Sequence, residues 1–80
     1  MLRLRPSRLH AIVTRAASRL TDARASFEQR DWTRALIHAE QSWRLCHTVE
    51  SARMAFLSAA AGGATRLALV WRQRIQAPKR

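Results

Sequence analysis

Cysteine occurs once in this 80-residue chain, at Cys46, so no internal disulfide can form. With His38 and His47 it falls into no zinc-type spacing, and the three supply too few ligands of sensible geometry; no metal and no cofactor are expected. Glycine is confined to the pair Gly62-Gly63, which lacks the flanking residues and the preceding strand of a phosphate-binding loop. No segment alternates apolar and polar residues as a half-buried strand does, which leaves an all-α chain as the expectation. A long apolar run is missing too. The nearest candidate, "MAFLSAAAGGATRLALVW" from Met54 to Trp71, holds Arg66 and both glycines. An arginine near a span's centre costs about 2.5–3.5 kcal/mol on insertion scales, which alanine does not offset. The N-terminal stretch "MLRLRPSRLHAIVTRAASRL" is broken by Arg15, against a secretory signal, although its arginines and lack of acids resemble an organelle transit peptide. A cytoplasmic location is therefore expected, with organelle targeting as the lesser alternative.

Acids are scarce and unevenly placed. All five (Asp22, Glu28, Asp31, Glu40, Glu50) lie centrally, whereas residues 1–21 carry Arg3, Arg5, Arg8, Arg15 and Arg19, and residues 52–80 carry Arg53, Arg66, Arg72, Arg74, Lys79 and Arg80. The net charge of +10 thus comes from two acid-free ends. Such blocks suit phosphate, an anionic membrane or an acidic protein, although a solvated Arg-rich surface has the same composition. Arg3, Arg5, Arg8, Arg15, Arg19, Lys79 and Arg80 are the candidate contacts to phosphate or an acidic surface.

Hydrophobic residues make up 48% of the chain, but many are alanine; Trp32, Trp43, Trp71, Phe27 and Phe56 are the large anchors. A core so thin in large side chains is worth only a few kcal/mol by itself. A larger protein, or a second copy of the chain, is expected to cover part of the apolar surface.

Helical spacing runs throughout. After Pro6-Ser7, the residues Leu9, Ile12, Val13, Ala16, Leu20, Ala23 and Phe27 recur at three- and four-residue steps, predicting a first helix that Ser7 caps and that ends near Arg30. Asp31 is a natural N-cap for a second, with Trp32, Leu36, Ala39 and Trp43 on one face. Thr48 caps a third, with Glu50 in its first turn and Ala52, Ala55, Phe56, Ala59 and Ala60 on a narrow face of small residues. Gly62-Gly63 ends it. Thr65 is expected to cap a fourth that runs through Leu69, Trp71 and Ile75 to Pro78. The domain is placed at residues 7–76, between basic tails 1–6 and 77–80, as two antiparallel hairpins.

"RDWTRALIHAEQ" and "GGATRLALVWRQ" share a turn, a Thr-Arg pair, and then small and large apolar residues, and Ala35 and Ala68 are about one helical-repeat period apart. Arg30-Asp31-Trp32, Ala35-Leu36, the preceding Phe27 and the later Leu45 resemble the tetratricopeptide-repeat family at its inter-helix turn, its small/apolar pair, its late first-helix aromatic and its second-helix end. Arg30 stands where that family has glycine, His47 where it has proline, and Ala39 at a bulky position; the Trp-x-x-Leu-Gly start of the first helix is absent. The resemblance implies stacked helical hairpins that bind other proteins. An array usually needs about three repeats or more, and fewer than that fit here.

Chemistry has few candidates. His38 and Glu40 are two apart on a helix and so face different ways. Cys46 and His47 are adjacent, without a third group to orient them. Cys46 is expected as a small buried filler, and His38 and His47 as surface or helix-end residues. No enzyme is expected. Trp32 and Trp43 sit at core spacing, leaving Trp71, beside Arg72 and Arg74, as the best candidate for an exposed contact. The expected function is that of a non-enzymatic adaptor or accessory subunit docking through Leu9, Ile12, Val13, Leu20, Trp71, Arg72 and Arg74. The alternatives are binding of RNA or a ribosome through the basic ends, and attachment of the first helix to an anionic membrane surface.

Overall fold

The computed structural model describes residues 8–76, all-α and built of four helices: α1 (Arg8–Glu28), α2 (Trp32–Leu45), α3 (Val49–Ala61) and α4 (Thr65–Gln76). Ser7 and Pro78, expected at the two ends of the domain, lie outside the described residues.

Each boundary has a local cause. At the end of α1 the Arg30 amide donates to the Phe27 carbonyl at 2.9 Å and the Asp31 amide to the Ser26 carbonyl at 2.9 Å. These crossed bonds form a Schellman turn, which needs a left-handed residue, and Arg30 supplies it at φ 62°. Asp31 then starts α2, its Oδ1 accepting from the Arg34 amide at 3.2 Å. Thr48 starts α3 in the same way, Oγ1 accepting from the Ser51 amide at 3.1 Å. The α3 end repeats the first turn: Gly63 donates to the Ala60 carbonyl at 3.2 Å and Ala64 to the Ala59 carbonyl at 2.8 Å, with Gly63 at φ 81°. Gly62 beside it is needed for a different reason. A Cβ there would meet the Cβ of Trp32 at 3.0 Å and the Ser58 carbonyl at 3.2 Å, so α2 begins hard against the end of α3.

The expected cap of α4 is displaced by one residue. Thr65 is already helical, and Ala64 holds the cap position, its carbonyl accepting from the Ala68 amide at 2.9 Å. Alanine has no side-chain acceptor to offer the first turn.

Small residues fill the interior. Ala16, Ala23, Ala35, Ala39, Ala52, Ala55, Ala59 and Ala68 are buried, together with Ser26, Ser42, Ser51 and Ser58. Ala60, expected on the packed face of α3, is exposed, and Ser51 and Ser58 are buried from that helix instead. Ser42 ties α2 to α1, donating from Oγ to the Ala16 carbonyl at 2.8 Å. Leu36, Trp43, Met54, Phe56 and Ile75 pack around the edges of this core. Trp71 reverses its expected role: at 2% exposure it is the one large side chain among the fully packed residues, closed over by Trp43 from α2. Its neighbouring arginines gave it a surface look, but α4 turns position 71 inward and 72 and 74 outward.

Every helix packs on the next along the chain, and α1 also packs on α3, while among the described residues α1 and α4 share no backbone contact. The result is an open slab of 55 × 35 × 12 Å, not a closed bundle. Its radius of gyration, 14.3 Å, exceeds the roughly 12 Å of a compact chain of this length.

Candidate functional site

The outer surface of α2 carries the densest group of chemically distinctive side chains. Trp43 meets Trp71 of α4 edge to face, with ring centroids 5.5 Å apart and planes at 89°. His47, just past the end of α2, lies parallel to the Trp43 ring at 4.2 Å and 8°. Arg74 sets its guanidinium 4.4 Å from the Trp71 centroid and 5.8 Å from that of Trp43. With Glu40, Arg44, Leu67 and Val70 these residues line a groove of about 380 Å³ between α2 and α4.

On the other flank of α2 lies a groove of about 250 Å³ lined by Arg15 and Arg19 from α1 and Gln41, Arg44 and Leu45 from α2. Arg44 borders both grooves, which makes them one continuous face. Among the described residues, none of Arg15, Arg19 and Arg44 has an ion-pair partner; Asp31 and Arg34 form a pair at 3.7 Å elsewhere.

Two apolar edges complete the surface. At the α1 edge, Val13, Ala16, Ala17 and Leu20 form a groove of about 150 Å³ with Ser42, Cys46, Thr48 and Glu50, and Leu9 and Ile12 are exposed on the same helix before it. At the α4 edge, Phe56, Leu57 and Ile75 are flanked by Arg53 and Arg72 around about 300 Å³.

The expected site residues therefore divide. Leu9, Ile12 and Val13 are exposed on α1, with Leu20 half-buried beside them. Trp71, Arg72 and Arg74 do not act as one contact: Trp71 is interior, Arg74 belongs to the aromatic groove and Arg72 to the α4 edge. Arg8 is exposed at the start of α1; Arg3, Arg5, Lys79 and Arg80 lie outside the described residues. The convergence of Arg44 on Arg15 and Arg19 is not visible in the sequence, because only the packing of two helices creates it. The stacking of His47 on Trp43 has a visible signal in their four-residue spacing.

His38 and Glu40 line different grooves, as their helical spacing requires. His38 is half-buried on the lining of its groove, and its Nδ1 is enclosed without a hydrogen-bond partner. Cys46 is half-buried rather than a sealed filler. Among the described residues, no three His, Cys, Asp or Glu side chains gather closely enough to hold a metal ion. No helix among them is long and apolar enough to cross a membrane.

Fold and surface together define an all-α protein of four helices with an Arg-rich aromatic face and two apolar edges. No protein-family model, curated protein or solved structure matches the chain.

Proposed function

We propose that the chain is a non-enzymatic, tetratricopeptide-like adaptor or accessory subunit that docks on a larger protein through its α1 edge. The observation that carries this reading is an inversion of size between inside and outside. The interior is mostly alanine and serine, while Leu9, Ile12 and Val13 stand 69%, 37% and 47% exposed on one helix. The Ser42–Ala16 bond accounts for the barest of them: α2 ends three residues beyond Ser42, so among the described residues the start of α1, from Arg8 to Ile12, extends past the end of its antiparallel neighbour. Aliphatic groups left bare in this way mark an interaction surface. The repeat-like reading is supported by the two matching turns, since Arg30 and Gly63 are as far apart as the buried Ala35 and Ala68.

Co-purification of the full chain from native extract, washed at low and at high salt, tests the proposal. A partner held by apolar contact stays bound at high salt. Leu9→Ser should then cost about 2 kcal/mol, roughly thirty-fold in affinity, without loss of helix content. A folded wild-type monomer that retains nothing at high salt, or retention indifferent to Leu9→Ser and Ile12→Ser, would remove the docking reading.

A further inference from the structure

The apolar edges do not account for the charged face, and its chemistry points to a different kind of ligand. Three guanidiniums from two helices, Arg15, Arg19 and Arg44, border one groove with no carboxylate among its lining residues. Like charges brought together on a folded surface repel unless an anion sits between them. Arginine's planar fork of donors suits phosphate oxygens, which accept two bonds from one side chain. Gln41 lines the same groove, with its Oε1 buried and lacking a donor, so its amide is not tied down at that end.

The neighbouring groove, which shares Arg44, carries an aromatic ring, His47. His47 is exposed, yet one of its faces is laid flat on Trp43, itself braced by Trp71. Its orientation is set before any ligand arrives, and its other face is a fixed, solvent-facing π surface. Arg44 borders both the guanidinium groove and this aromatic one, so an anion held by the arginines would have a flat ring beside it. Adjacent phosphate and planar base are the repeating unit of a nucleic-acid strand, and only an unpaired strand has base faces to offer.

We propose that the face carried by α2 and flanked by α1 and α4 binds single-stranded nucleic acid, with Arg15, Arg19 and Arg44 on the phosphodiester oxygens and a base stacked on the outer face of the His47 ring. This goes beyond docking at the α1 edge and does not depend on it: the two readings rest on different side chains of α1 and α2, aliphatic in one case and guanidinium in the other, so Leu9→Ser and Arg44→Gln tell their failures apart.

The test is fluorescence anisotropy of a labelled single-stranded oligouridylate titrated with the full chain over a series of salt concentrations. Contact with three phosphates gives a slope of log K against log salt of about −2, at roughly −0.7 per contact. Arg15→Gln, Arg19→Gln and Arg44→Gln should each weaken binding several-fold and flatten the slope by about 0.7. Arg24→Gln and Arg66→Gln, equal in charge but outside the groove, should leave both near wild type. His47→Ala should weaken the oligonucleotide roughly ten-fold, the size expected of one lost stack, while leaving competition by inorganic pyrophosphate unchanged. Circular dichroism checks that every variant stays folded. Equal losses from all arginine variants would reduce the effect to net charge and overturn the proposal. Competition by poly-L-glutamate as strong as that of unlabelled oligouridylate, through the same arginines and without His47, would replace it with an acidic protein surface.

Discussion

Arg30 occupies a backbone conformation that its side chain opposes. At φ 62° an L-residue other than glycine crowds its own Cβ against the carbonyl, a penalty of about 1–2 kcal/mol. The turn exists because the two crossed hydrogen bonds to Ser26 and Phe27 satisfy the end of α1 and aim the chain into α2. Gly63 makes the same turn in the second hairpin without the penalty. Arg30→Gly should therefore stabilise the protein by about 1 kcal/mol, the relief of strain being partly offset by the extra freedom of glycine in the unfolded chain. Thermal unfolding should register it as a rise of roughly 4–8 °C for a domain of this size. An unchanged or lower midpoint would mean that Arg30 makes compensating contacts. Trp71 shows what single residues conceal. Its flanking arginines advertise a surface, and its burial comes from Trp43, far off in sequence, which local spacing cannot display.

At the scale of elements, the helices were legible because their boundaries are made by local chemistry. Asp31 and Thr48 each put a side-chain oxygen on a first-turn amide, and Gly62-Gly63 closes α3, all with partners within a few residues. The fourth start was misjudged for an equally local reason. Thr65 looks like a cap, but the Schellman bond from Ala64 to Ala59 fixes the register one residue earlier. The charged face was not legible, because Arg15 and Arg19 reach Arg44 only through the packing of α1 on α2, with Ser42 bonded to Ala16 between them. Ala64 is then the weak point of the second hairpin, holding the place that Asp31 holds in the first. Ala64→Asp should supply the missing acceptor and stabilise by roughly 0.5–2 kcal/mol, with added favourable charge at the start of α4. Amide hydrogen exchange in the first turn of α4 should slow in step with the unfolding midpoint. Faster exchange there would show that the carboxylate is desolvated without finding an amide.

At the scale of the molecule, shape and charge act in the same direction. A slab 12 Å thick with an alanine-rich interior encloses little apolar area, so the opposing electrostatics weigh heavily in its stability. The net charge is +10, and of the described arginines only Arg34 has a carboxylate in reach. Two guanidiniums about 8 Å apart repel by roughly 0.5 kcal/mol even at the dielectric of water, and by more near a protein surface. The unfolded chain spreads the same charges further apart and escapes most of this. Raising ionic strength from about 0.01 M to 1 M shortens the screening length from about 30 Å to 3 Å, which removes repulsion from the folded state preferentially. Urea unfolding, with a denaturant that adds no ions of its own, should therefore show a midpoint that climbs with sodium chloride, by an amount worth about 1 kcal/mol or more. Most of the gain should come at the low-salt end, where the screening length falls below the spacing of neighbouring arginines. Arg44→Gln should shrink the gain, since it thins the densest cluster, whereas Arg34→Gln should leave it nearly unchanged because Arg34 is already paired with Asp31. A midpoint that fell with salt would mean that attraction between charges, not repulsion, governs this fold, and that the bare arginines are no reason to look for an anionic partner.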